Sequence, residues 1–156
     1  MRYFLLDKVT ELVIGQHARG VKNVTLTDEV LHDHFPDHPV LPGALVIEAA
    51  AQLGGFLVEM STEDAPPARA VLTQVDQARF YEPAGPGDQL DIRVRIEQSG
   101  RTAARVRADI YIDTRRAGRA LLTFVLRRVD SERVHEQRRS LYRLWTRTLS
   151  PPPVIR

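Results

Sequence analysis

The sequence predicts an α+β domain in which one antiparallel sheet wraps around one central helix. Three observations carry this reading. Ala44–Met60 is a 17-residue apolar stretch interrupted only by Glu48, Gln52 and Glu59. Leu90, Ile92, Val94 and Ile96 alternate with Asp91, Arg93, Arg95 and Glu97, the period-two pattern of a strand with one packed face and one wet face. Further β-forming runs lie on both sides of the apolar stretch, separated by Gly- and Pro-bearing turns.

Taken in order, Lys8 to Ile14 and His17 to Thr25 predict two strands around a Gly15-Gln16 turn, with Val9, Leu12, Val13, Ile14, Val21 and Val24 as β-formers. Asp33 to Pro42 carries Pro36, Pro39 and Pro42, which exclude regular helix and predict a constrained loop. Pro42 and Gly43 open the helix, because proline suits a first turn whose N–H groups have no helical partner. The helix through Met60 is apolar almost all round, so it is expected to be covered on most sides. Ser61 to Ala68, with Pro66-Pro67, ends it. Strands are then expected over Ala70–Phe80, Gln89–Gln98, Thr102–Asp113 and Arg119–Arg128. The expected connections are Pro83–Gly87, Ser99-Gly100 and Arg116-Ala117-Gly118. Val134, Leu141, Leu144, Trp145 and Leu149 recur at near-helical spacing, which predicts a C-terminal amphipathic helix stopped by Pro151-Pro152-Pro153.

The 156 residues suffice for one domain with a real core, and 43% hydrophobic with 27% charged residues is ordinary globular composition. We divide the chain into a domain over residues 1–130 and a basic extension over residues 131–156. The net charge is only +2, yet the extension holds six Arg against two Glu. A basic segment suits an acidic partner, though a solvated helix face has the same pattern. Its arginines are not matched by an aromatic-rich face, which speaks against nucleic acid. With no cysteine there is no disulfide, no thiolate metal site and no cysteine nucleophile. The N-terminus shows no secretory h-region and the longest apolar stretch falls short of about 20 residues, so neither a signal nor a membrane span is expected and a cytoplasmic setting is.

Chemistry concentrates between His34 and Gln52. Glu48 has only apolar near neighbours in sequence, where an ionised carboxylate is costly unless paired. Desolvation would favour its protonated form, a useful general acid, although a purely structural buried Glu has the same signature. Gln52, four residues on, shares its helix face and is placed to orient it. His34, in a loop stiffened by proline, is a candidate general base. Gly43 at the helix start offers a backbone N–H to a carbonyl gaining negative charge. The same loop contains His32, His34 and His38 with Asp33 and Asp37. That spacing matches no strong zinc signature and the prolines restrict wrapping, so no metal is expected.

At these residues the sequence resembles the β-hydroxyacyl-acyl carrier protein dehydratase family of the hot-dog fold. The likeness rests on His34-Phe35-Pro36, on Pro39-Val40-Leu41-Pro42-Gly43 and on Glu48-Ala49-Ala50-Ala51-Gln52, with 14 residues from His34 to Glu48. Val21-Lys22-Asn23-Val24, Ala78-Arg79-Phe80 and Pro86-Gly87-Asp88-Gln89-Leu90 extend it, so that it covers residues 2–128 in order.

The resemblance implies dehydration of a 3-hydroxyacyl thioester to the trans-2-enoyl thioester, in fatty-acid or polyketide- and polyene-type synthesis. It implies His34 as base, Glu48 as acid, Gly43 N–H as the carbonyl's donor and Gln52 in support. It further implies Phe35, Leu41 and Leu45 along the acyl tunnel, and a substrate arriving on the phosphopantetheine arm of acyl carrier protein. No metal or organic cofactor is implied. The implied assembly is a homodimer whose active sites combine His34 of one subunit with Glu48 of the other, three dimers forming a hexamer in part of the family. Because acyl carrier proteins are acidic, Arg79, Arg138 and Arg139 are docking candidates.

Two features depart from the family. Asp37 stands where glycine is usual after His-Phe-Pro, and the Arg-rich tail has no counterpart we recognise. Two rivals stand beside the dehydratase reading: a hot-dog acyl thioesterase, in which the helix acid activates water and against which His34-Phe35-Pro36 argues, and a non-catalytic acyl-carrier-binding subunit, which Asp37 keeps open. An isomerising dehydratase is disfavoured, because that group usually carries Asp where Glu48 stands.

Overall fold

The computed structural model describes residues 3–62 and 68–155. Strands β1 (Lys8–Val13) and β2 (His17–Asn23) precede helix α1 (Gly43–Met60), and β3 (Arg69–Phe80), β4 (Gln89–Ser99), β5 (Ala103–Ile112) and β6 (Arg115–Arg127) follow it. A second helix, α2 (Glu132–Thr146), comes last. Pro66 and Pro67, expected to end α1, lie outside the described residues.

All six strands form one antiparallel sheet in the order β1-β2-β4-β5-β6-β3. It curls around α1, which touches β2, β3, β4, β5 and β6. This is the sheet around a central helix that the sequence predicts. The alternation holds: Leu90, Ile92 and Val94 are buried, and every second residue of β5 is buried from Ala104 to Ile112. Against these pack Leu53, Phe56 and Leu57 of α1 and Leu122 and Phe124 of β6. Each such side chain contributes about 1.5–3 kcal/mol by leaving water. Small residues let the layers close: a Cβ at Gly54 would sit 3.2 Å from the Phe124 ring, and one at Gly20 would sit 3.0 Å from the Lys8 carbonyl oxygen.

Helix α1 is long and apolar enough, by length and composition, to cross a bilayer, but here two-thirds of it is buried as the core helix. Its uncovered side lies mainly in the N-terminal half, where Ala44, Leu45, Ile47, Glu48 and Gln52 keep some exposure, with Met60 partly exposed at the other end.

One connection differs from expectation. The β5–β6 reversal is at Asp113-Thr114, with Asp113 at φ 54°, and Arg116-Ala117-Gly118 lies inside β6. The glycine there serves close packing rather than a turn, since a Cβ at Gly118 would come within 3.2 Å of the Arg79 carbonyl oxygen on β3.

Candidate active site

The loop before α1 is closed on itself by backbone hydrogen bonds. Phe35 N–H donates to the His38 carbonyl and His38 N–H to the Phe35 carbonyl, both at 3.0 Å. Asp37 occupies the turn between them at φ 61°, a left-handed conformation that Asp tolerates better than most residues. Val40 N–H donates to the His34 carbonyl at 2.8 Å, and His34 Nδ1 lies 2.7 Å from the Val40 carbonyl oxygen. A carbonyl only accepts, so Nδ1 carries the proton, and in neutral imidazole Nε2 is left with a free lone pair. The half-buried His34 ring is stacked on Phe35 with centroids 4.2 Å apart. Beyond it, Leu41 N–H donates to the Ala84 carbonyl at 2.7 Å and ties the loop to the turn before β4.

Pro42 precedes the first turn of α1, where Leu45 and Val46 N–H groups both reach its carbonyl. The Gly43 N–H belongs to the helix-start donors that have no intrahelical partner. A Cβ at Gly43 would lie 2.8 Å from the Phe80 ring, so glycine lets the end of β3 close over the helix start.

Farther along α1, Gln52 Nε2 donates to Glu48 Oε1 at 3.0 Å and to the Tyr3 carbonyl at 2.8 Å. Its Oε1 accepts from Leu5 N–H at 3.0 Å and Leu6 N–H at 3.4 Å. With both ends engaged, the amide cannot flip, and it holds one Glu48 oxygen while pinning the N-terminal segment to the helix. Glu48 is half-buried and opens into a cavity of about 120 Å³, with Gln52, Gly55, Glu59, Arg138 and Tyr142 in its wall.

Within the chain, then, Gly43, Glu48 and Gln52 share the open half of α1, and His34 stands on the loop that feeds it. Among the described residues no hydrogen bond joins His34 to Glu48, and His34 does not line the Glu48 cavity. Leu41 and Leu45 line a different cavity of about 310 Å³ with Tyr3, Phe4 and Leu5, while Phe35 is 55% exposed. Arg79 is exposed on β3 and Arg139 pairs with Glu132, but Arg138 turns toward the Glu48 cavity. His32, Asp33, Asp37 and His38 are exposed, and among the described residues no three His, Asp or Glu side chains converge as metal ligands would.

The buried acid of α1 is Glu59, 8% exposed, which the sequence reading passed over. It accepts from Arg69 Nη1 at 2.6 Å, Tyr142 Oη at 2.6 Å and Ala70 N–H at 2.9 Å. Arg69 Nη2 donates to His135 Nδ1 at 2.7 Å, and His135 Nε2 donates to the Val129 carbonyl at 2.7 Å. Burial, reinforced by the Glu59 carboxylate, pushes the Tyr142 phenol well above its ordinary pKa. The available signal was position: Glu48, Gln52, Gly55 and Glu59 fall on one helix face.

Comparison with known proteins identifies the family and the fold. The FabA-like domain family matches residues 1–120. The chain is 37% identical over 122 residues to a 3-hydroxyacyl-acyl-carrier-protein dehydratase FabZ of Nitratidesulfovibrio vulgaris, covering 78% of this chain and 79% of that protein. It is also 37% identical over 122 residues to the FabZ of Dechloromonas aromatica, covering 77% and 85%. Among solved structures, smu.793 of Streptococcus mutans, bound to acetyl CoA, superposes with a TM-score of 0.62 at 22% identity, over 78% of this chain and 90% of that one. At that identity the likeness is one of fold.

Proposed function

This chain belongs to the FabA-like family, with the 3-hydroxyacyl-acyl-carrier-protein dehydratases, and we propose that it removes water from a 3-hydroxyacyl group carried on acyl carrier protein in fatty-acid synthesis. The observation that carries the reading is the 2.7 Å contact between His34 Nδ1 and the Val40 carbonyl oxygen. The Nδ1–H is committed to that carbonyl, so Nε2 is presented as a base from a loop with little freedom.

His34 Nε2 takes a proton from the carbon next to the thioester carbonyl. The carbonyl oxygen gains negative charge and is met by the Gly43 N–H, aided by the positive end of the α1 dipole. As the electron pair moves to form the carbon–carbon double bond, the bond to the 3-hydroxyl breaks. Glu48 supplies the proton that lets the hydroxyl leave as water. Gln52 keeps the Glu48 carboxyl in place throughout. Proton removal, carbonyl polarisation and proton delivery are all met by groups of the protein, so we assign no metal or organic cofactor.

The pair is completed by a second copy of the chain, His34 of one protomer facing Glu48 of its partner. Two observations support this. Glu48 and His34 open into different surroundings in one chain. Strand β3 ends the sheet with β6 as its strand partner, and Val71 and Val75 remain 46% and 41% exposed on it. Pairing of β3 edges would extend the sheet across a dimer and cover these side chains. The acidic carrier protein is met by exposed basic residues, Arg79 first, and the enzyme works in the cytoplasm.

The test is turnover of a 3-hydroxyacyl carrier-protein thioester followed by mass spectrometry. Wild type should convert the acyl group to one lighter by a single water, and His34→Ala and Glu48→Gln should each abolish this. Release of free acid, or turnover that survives both substitutions, would refute the assignment.

A further inference from the structure

Helix α2 lies beyond the stretch matched by the FabA-like family, yet it is built into the wall of the cavity that Glu48 lines. Building on the dehydratase reading, we propose that α2 forms the end wall of the acyl pocket and that Arg138 makes this a short-chain enzyme.

The path is marked on α1. Glu48, Gln52, Gly55 and Glu59 follow one face over about 16 Å of helix. The first carries the catalytic proton, and the last is where α2 arrives. Its position there is fixed. Tyr142 meets Phe56 edge-on at 4.8 Å and stacks on Trp145 at 5.7 Å, while its hydroxyl donates to Glu59. His135 and Arg69 bind the start of α2 to β3. A wall anchored by buried aromatic rings and a buried ion pair does not swing aside for a long chain.

The space is small. The cavity measures about 120 Å³, against about 300–1,000 Å³ for pockets that take a drug-sized ligand. Its far side is also the wrong chemistry for an alkyl tail. Arg138 is half-buried, and among the described residues no hydrogen bond or ion pair engages its guanidinium. An apolar chain pushed against it would strip water from a charge without replacing it. Size and desolvation therefore act in the same direction. The cavity lined by Leu41, Leu45 and Phe4 is the competing route for the acyl chain, and it is independent of α2.

The experiment measures kcat/KM of the full chain for four-, eight- and twelve-carbon 3-hydroxyacyl carrier-protein thioesters. Wild type is compared with Arg138→Ala, with Arg138→Met, which keeps the aliphatic stem and so guards against loss of packing, and with Leu45→Phe. We expect wild type to favour the four-carbon substrate. Both Arg138 variants should raise the twelve- to four-carbon ratio by about tenfold or more, the discrimination typical of a change in pocket size, and Leu45→Phe should leave the ratio alone. A ratio unchanged in both Arg138 variants, or moved only by Leu45→Phe, overturns the proposal while leaving the dehydratase assignment standing. Absence of elimination from every substrate by wild type would overturn the dehydratase assignment and the end wall together.

Discussion

Replacing Glu59 with leucine should destabilise this molecule strongly. The Glu59 and Arg69 side chains are only 4% and 7% exposed and meet at 2.6 Å. Leucine fills the space but leaves the guanidinium buried without its counter-charge. It also leaves the Tyr142 hydroxyl and the Ala70 N–H without the acceptor they share. Breaking a buried pair in this way costs about 3–5 kcal/mol. For a chain of this size about 2–4 °C is lost per kcal/mol, so the melting temperature should fall by roughly 6–20 °C. Urea unfolding followed by circular dichroism reads the free energy directly, and Trp145 fluorescence reports the docking of α2, since its ring is buried against Tyr142 and Phe56. The double variant Glu59→Leu, Arg69→Met removes both charges and should recover the part of the loss that comes from the unpaired guanidinium, but not the part from the Tyr142 hydroxyl and Ala70 N–H. A single Glu59→Leu within about 1 kcal/mol of wild type would refute the reasoning, as that is the size expected of an exposed pair.

Further outcomes follow from other contacts. Gln52→Leu frees Glu48 and the Tyr3–Leu6 segment together, and kcat should fall by about 10²-fold, as for a small misplacement of a reacting group; a wild-type kcat would show that Gln52 does not orient the acid. Tyr142 is held protonated by burial and by Glu59, whereas an unfolded tyrosine ionises near pH 10. Its stabilisation is therefore complete below about pH 10 and declines as pH rises beyond it, by up to about 1.4 kcal/mol per pH unit. Tyr142→Phe should remove that part of the decline in urea midpoints, and an identical slope would contradict it. Asp37→Gly should keep or raise stability by under about 1 kcal/mol while Asp37→Val lowers it by about 1–2 kcal/mol, because the backbone there is left-handed; equal melting temperatures for the two would contradict this. Arg79→Glu should raise KM for carrier-protein substrate but not for a free pantetheine thioester, and the wild-type KM should rise with salt; a salt-independent KM would exclude this docking site.

Much of the fold is legible in the residues because local pattern and burial agree. The run from Ala44 to Met60 is a helix covered on most sides, and Leu90 to Ile96 is a strand with one wet face. The β5–β6 turn departs from the sequence expectation because glycine has two uses. At Gly118 it admits a neighbouring carbonyl, and Asp113 alone takes the left-handed turn conformation. In the site, the His34 loop is readable from its prolines, and Asp37 takes the backbone conformation that glycine would take most easily. The degree of burial along α1 was not readable. An apolar helix does not say which face the sheet leaves open, so Glu48 was expected to be the enclosed acid, whereas it stands at the open half and Glu59 is enclosed. The partners of Glu59 and Gln52 lie tens of residues away, beyond the reach of any local pattern. The docking of α2, and with it the turning of Arg138 toward the site, belongs to the same long-range class.

The central claim is that His34 and Glu48 carry out a reversible elimination and leave the thioester intact. Incubating a 3-hydroxyacyl carrier-protein thioester in water enriched in heavy oxygen tests this in one mass spectrum. The account predicts an enoyl thioester in equilibrium with 3-hydroxyacyl thioester that carries the label on carbon 3, still attached to the carrier. Heavy oxygen in the carboxylate of a released free acid, or no label and no enoyl product, would contradict it.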